Sequence, residues 1–358
     1  MGDLYLTGGE QRIGAFLPAA EWHETKKALV LRVDADTGKV IDRLEYVTPP
    51  DACPEENPAI TFKAGTISGN RLYACTCTEV ITFELPSFRR VGYVSLPCFN
   101  DLHHVMPTPN GTLIVVVTGL DMVVEVTPRG EVLREWSVIG EDTWARFSRE
   151  VDYRKVPTTK PHRAHPNFAF LLGDDIWATR SDNKDAVCLT RPGERIDIAI
   201  SFTHDGHIFR DWIYFTTVDG HIVIANSYSL KVERVFDLNT IDNPEGHVLG
   251  WCRGVLPVTE SLVWVGFTKI RHTKFVEKLR WLRGSTVNFK PSRIALYDLS
   301  AGRCLREVDV SSQGMDCVFS IVAALTTAEV DSLLASTGVR TFAESTPFVS
   351  LCQPVSQK

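Results

Sequence analysis

The chain has 358 residues, 44% hydrophobic and 23% charged, a balance that suits a packed globular fold and excludes a disordered chain. Lys and Arg number 38 against 44 Asp and Glu, and the formal charge of -6 opposes general nucleic-acid binding, which relies on concentrated cations. No basic segment followed by a long apolar run opens the chain, and no stretch reaches the roughly 20 apolar residues that span a bilayer, so a cytoplasmic protein without membrane insertion is expected.

In chain order, LYLTG, ALVLRVDADTG and KVIDRLEYV occupy residues 4–47 as three strand-like runs with no fourth beside them. From about residue 60 to 96 come AITFKAGTI, RLYACTC, EVITFEL and RRVGYVSL. The clearest unit runs from Asp101 to Val138: HHVMPTP, TLIVVV, MVVEV and VLREWSV, joined by short turns. Four short strands in succession are a β-meander, the unit of a propeller blade. Residues 139–161 interrupt the pattern with Trp144, Phe147 and Tyr153 among Arg and Glu, and are expected to form a lid.

Further copies follow. Pro166–Ile200 carries NFAFLL, DIWATR, DAVCLT and ERIDIAI; Trp212–Leu238 carries WIYFTT, HIVIANS and LKVERVFDL. Gly254–Val310 carries GVLPV, LVWVGFT, RIALYDL and CLREVDV, with residues 269–291 inserted as a basic helical candidate. Last comes DCVFSIVAA at 316–324, an innermost strand without three followers, which completes the three runs near the amino terminus. Closing a ring in this way removes open sheet edges. Asn110–Gly111 and Asp219–Gly220 supply hairpin turns, and the Asp34–Gly38 and Asp298–Gly302 segments match before an outer strand. The expected fold is therefore all-β: a six-bladed β-propeller over residues 1–324, with a wrapping or mobile tail at 325–358.

The blade pattern HHVMPTPNGTLIVVVTGLDMVVEVTPRGEVLREW resembles six-bladed propellers of the broad NHL-repeat and SMP30-like kind. That resemblance covers about residues 25–324 and implies anything from calcium-dependent hydrolysis and lactonase activity to non-catalytic binding. The full acidic metal set of the SMP30-like enzymes has no residue-by-residue match here, and fold alone does not transfer function.

The histidines precede successive blades: His103 and His104, His162 and His165, His204 and His207, then His247. Imidazoles from separate blades converging on the axis would suit a divalent transition metal such as zinc or iron. His104, His165 and His207 form the expected triad, with His103, His204 and His247 as alternates, because neighbouring strand residues point to opposite faces. Asp101, Asp205 and Asp211 are candidates for proton transfer or ligand orientation. Cys252, beside Arg253, is a candidate nucleophile. Lys63, Arg163, Arg210 and Arg253 are candidates for holding an acidic group. Each has a structural alternative as a turn cap, salt bridge or buried thiol; the nine cysteines mostly read as reduced core residues. No Ser nucleophile elbow, HExxH motif or phosphate-binding P-loop is present.

The expected function is a metal-dependent enzyme acting on a small polar or anionic metabolite at the axial mouth, with hydrolase, lyase and oxygen chemistry left open. The alternative is a non-catalytic propeller that binds a protein, and homo-oligomerisation through 269–291 is an added expectation.

Overall fold

A computed structural model describes residues 2–12, 25–270 and 289–323. Runs of β-branched and aromatic residues bounded by Gly, Asn and Asp become twenty-four strands among these residues, arranged in six four-stranded sheets. The first blade holds β1 (Asp3–Gln11), β2 (Thr25–Asp34) and β3 (Val40–Tyr46). The second holds β4 (Thr66–Ser68), β5 (Arg71–Cys75), β6 (Val80–Glu84) and β7 (Arg89–Val94). In the third are β8 (Leu102–Pro107), β9 (Leu113–Val117), β10 (Met122–Val126) and β11 (Val132–Ser137). The fourth comprises β12 (Pro166–Leu172), β13 (Asp175–Arg180), β14 (Asp185–Cys188) and β15 (Arg195–Asp197). The fifth comprises β16 (His207–Phe209), β17 (Trp212–Thr217), β18 (His221–Asn226) and β19 (Val232–Asp237). The sixth comprises β20 (Trp251–Pro257), β21 (Leu262–Thr268), β22 (Arg293–Asp298) and β23 (Arg303–Asp309).

The ring closes where β24 (Cys317–Ala323) pairs antiparallel with β1, aligning Leu6 with Ile321 and Thr7 with Ser320. The expected six-bladed ring and its split blade are therefore present. Middle strands are buried on both faces, as all five residues of Leu113–Val117 show, because each sheet packs against a neighbour on either side. Outer strands such as Val40–Tyr46 are largely solvent-facing. Six buried apolar clusters fill the six junctions between blades. The junction of the sixth and first blades is built from Trp264, Leu262 and Ile294 against Leu4, Leu6 and Leu29.

The matched turns work by the same chemistry. Asp34 Oδ1 accepts from the Asp36 and Thr37 N–H groups, and Asp298 Oδ1 accepts from those of Ser300 and Ala301. Gly38 and Gly302 then take positive φ, +73° and +60°.

Two strand boundaries differ from the sequence reading. The fifth blade, read from Trp212 onward, gains β16 before it, whose three residues are too short to carry a period, and His207 opens that strand. The sixth blade's inner strand starts at Trp251 and bulges at Gly254, which places both Cys252 and Arg253 within it. The tail at 325–358 and most of 269–291, including the basic helical candidate and its expected role in homo-oligomerisation, lie outside the described residues. Among the described residues, no helix is long and apolar enough to cross a membrane.

Candidate functional site

Strand alternation decides which chemical groups reach the axis. On β8, His103 occupies a bulge and faces an axial cavity, while His104 turns into the junction between the third and fourth blades. The cavity is about 210 Å³, and residues of five blades line it, Lys63, Asp101, His103, His165, Arg253 and Phe319 among them. Arg253 faces it from β20, whereas Cys252, one residue earlier, is fully buried in the apolar junction of the fifth and sixth blades.

At the mouth, Lys63 Nζ lies 3.3 Å from Asp101 Oδ1. Burial works against the Lys63 charge, but the Asp101 carboxylate outweighs it and raises the ammonium's pKa. Burial likewise pushes Asp101 upward, yet Lys63 holds it well below the ordinary carboxylate range. The pair is therefore ionised. His103 Nδ1 lies 2.8 Å from the Asp101 carbonyl, which can only accept, so Nδ1 carries the proton. Burial, assisted by Lys63, keeps this imidazole well below its usual pKa and hence neutral.

His165 sits 5.1 Å from His103, ring centre to ring centre, and its Nδ1 is 2.9 Å from His162 Nδ1. Burial also holds His165 well below the usual range. Asp101 and His165 both adopt the left-handed backbone, with φ of +46° and +52°, a conformation that non-glycine residues keep only where surrounding structure enforces it. Asp121 is that enforcement for His165: its carboxylate accepts from the backbone N–H groups of Arg163, Ala164 and His165. Sequence reasoning did not single out Asp121, which falls in the short turn between TLIVVV and MVVEV.

The Phe319 ring forms the floor for two cations. Lys63 Nζ and the Arg253 guanidinium each lie 4.6 Å from its centre. Arg253 also lies 5.1 Å from the Trp251 ring, its Nε is buried without a hydrogen-bond partner, and burial lowers its pKa. Phe319 was missed because DCVFSIVAA reads as a core strand. Lys160, another lining residue, was passed over inside the 139–161 insertion.

That insertion is tied down rather than free to swing. Asn100 Nδ2 donates to the carbonyls of Tyr153 and Val156, both at 2.8 Å, and Lys155 Nζ donates to Pro50 O. Trp144 donates to Glu135 and packs with Phe147 and Tyr153 against the junction of the second and third blades. The aromatic residues thus face the blades, and Val156, Thr158 and Lys160 form one wall of the mouth.

The expected metal triad is overturned. Among the described residues no group of three His, Cys, Asp or Glu side chains could hold an ion. Thr66 Oγ1 donates to Val105 O, so it accepts from His104 Nε2–H at 3.1 Å; His104 Nδ1 accepts from the Ala169 N–H at 3.2 Å. Both ring nitrogens are used, and no lone pair remains for a metal. His104 stacks on Phe168 at 3.6 Å, and His207 meets Phe168 at 4.8 Å, whereas His165 stands with His103 at the mouth. Of the alternates, His204 is buried, 6.3 Å from His103 ring to ring, and His247 pairs with Glu245 outside the cavity lining.

With the triad go the zinc or iron cofactor, the histidine-ligated metalloenzyme, and the small polar or anionic metabolite that the metal was to hold. Asp205 is fully buried and tied to Thr216 and to Gly254 N. Asp211 accepts from the exposed Tyr228 hydroxyl, Arg163 pairs with Glu141, and Arg210 pairs with Glu260, none of them lining the cavity. Burial raises the Cys252 thiol well above its ordinary pKa, the reverse of an activated thiolate. Of the site residues expected from sequence, Lys63, Asp101, His103, His165 and Arg253 meet at one cavity.

Comparison with protein-family models and with curated proteins gave no match. The fold is similar to that of many solved structures. One is a Bacteroides caccae protein of unknown function, with a TM-score of 0.59 at 13% identity, covering 90% of this chain and 98% of that one. Another is the β-propeller domain of Cps50 (Swd1) from Myceliophteria thermophila, with a TM-score of 0.46 at 11% identity, over 79% of this chain and 83% of that one. A chain of a mitotic checkpoint complex has a TM-score of 0.45 at 8% identity, over 79% of this chain and 72% of that one. The likeness to the Bacteroides caccae protein bears on the propeller fold alone. Nothing in it singles out the NHL-repeat or SMP30-like kind.

Proposed function

We propose that the protein is a non-catalytic β-propeller scaffold that binds a partner protein at the open end of its axis. The observation that carries this reading is that groups expected to do chemistry serve as ties between blades. His104 is committed to Thr66 and Ala169, and Asp205 to Thr216 and Gly254. A general base or metal ligand needs a lone pair free to meet substrate; His104 has both ring nitrogens engaged, and Asp205 is sealed from solvent with its Oδ2 held by two donors. The cavity they leave is below the roughly 300–1,000 Å³ usual for small-molecule pockets. A cytoplasmic setting fits this role, since the eight described cysteines are all unbridged.

The test places a photo-crosslinking amino acid at Thr158, on the wall of the mouth, and separately at Tyr228, on an exposed turn of the fifth blade, in the cell of origin. The expected result is one protein crosslinked through Thr158 that rebinds stoichiometrically when both components are purified. Migration of the native protein as a free chain, with no crosslink at either position, would overturn the reading.

A further inference from the structure

The charge at the mouth is opposite in sign to that of the chain. Lys63, Lys160 and Arg253 line the cavity against one carboxylate, Asp101, while the whole sequence carries -6. Lys63 already has Asp101 as its partner. Arg253 has none of that kind: among the described residues no carboxylate pairs with its guanidinium, which is held between Trp251 and Phe319. Aromatic faces orient a guanidinium but replace little of the hydration it loses, so a cation held this way favours an incoming anion.

We propose that the mouth receives an acidic side chain of the partner protein, its carboxylate paired with the Arg253 guanidinium beside Lys63. This rests on the scaffold reading and names the chemistry of its contact. Three features favour a carboxylate carried on a protein. The cavity of about 210 Å³ takes the end of an extended side chain rather than a folded element. Guanidinium and carboxylate match as planar forks with paired hydrogen bonds. The acidic remainder of the chain repels a long polyanion such as a nucleic acid, whereas a lone acidic residue feels chiefly the local cations.

The experiment selects random heptapeptides displayed on phage against the full chain, then measures the enriched peptides by fluorescence anisotropy. The expected result is enrichment of Glu or Asp at one position, with at least tenfold weaker binding when that residue becomes its amide. Arg253→Gln is expected to weaken the acidic peptide at least tenfold and to leave the amide peptide unchanged, so the two losses are not additive. Lys160→Glu, at an exposed position, gives a loss in the same direction without removing a buried group.

Peptides that bind wild type and both variants alike would overturn the acidic contact while leaving the scaffold reading intact. Free glutamate, phosphate or a single-stranded oligonucleotide binding as tightly as the peptide, in an Arg253-dependent way, would also overturn it. A chain that enriches no peptide and crosslinks to no protein through Thr158 fails on both counts.

Discussion

The Asp205 carboxylate accepts a hydrogen bond from the Gly254 N–H at 2.8 Å, tying the approach to the fifth blade to the inner strand of the sixth. Gly254 sits at a φ of +75°, and a Cβ there would stand 2.9 Å from Ser320 Cα, so the bulge, the carboxylate and the closing strand fit only together. Burial alone would raise Asp205, but neighbouring His204 and the Thr216 hydroxyl outweigh it and lower its pKa. Asp205→Ala leaves the Gly254 N–H without this acceptor and is expected to cost about 2–4 kcal/mol. Urea unfolding with an unchanged slope checks this. A midpoint identical to wild type would mean that the carboxylate is not a tie.

Stability is expected to fall on mild acidification. His103, His104, His162, His165, His204 and His207 are all held below the ordinary imidazole pKa, chiefly by burial. A depressed imidazole stays neutral in the fold while the unfolded chain binds its proton. The stability it carries is therefore complete above the unfolded value of about 6.5 and declines as pH drops below it. His221 has the opposite sign, raised by its hydrogen bond to Asp219: its contribution is complete below about 6.5 and fades as pH rises above that value, so it leaves the decline on the acid side intact. Each buried neutral histidine contributes a slope of up to about 1.4 kcal/mol per pH unit. Thermal unfolding between about pH 7 and 5 should show Tm falling steadily, whereas a flat profile would contradict neutral burial.

Histidine 104 separates structural from metal-binding behaviour. With both nitrogens bonded and its ring on Phe168, His104→Ala is expected to cost about 2–4 kcal/mol through the cavity and the unsatisfied Ala169 N–H. Elemental analysis of untagged wild type and variant should give the same transition-metal content, and chelation should leave Tm unchanged. Stoichiometric metal lost in the variant would contradict the assignment.

The ring was legible because each blade repeats its alternation and turn chemistry; Asn110–Gly111 and the paired Asp34 and Asp298 turns mark the register before any long-range contact is known. The site was less legible for a geometric reason. Alternation told that His103 and His104 face opposite ways, but not which of them faces the axis, because the bulge between Leu102 and His104 carries no sequence signal. A second bulge, at Gly254, shifts the register between Arg253, opposite Gly266, and Val255, opposite Val265. Phe319 was hidden differently: an aromatic that carries two cations looks, in sequence, like any core residue.

Closure by β24 gives the last prediction. Thr7 and Ser320 hydroxyls meet at 2.6 Å across β1 and β24, and the Ser320 hydroxyl also accepts from Gly65 N, so this strand joins the first blade to the second. Phe319, on the same strand, carries the two cations of the mouth. A chain ending at Asp316 leaves β1 as an open edge, with apolar residues such as Val318 and Ile321 gone from the junction of the sixth and first blades. It is expected to lose amide-exchange protection across β1 first and to aggregate. A chain ending at Ala323 retains β24 and serves as the control, with β1 protection expected to match the full chain. Equal β1 protection in the two truncations would mean that closure does not hold the ring.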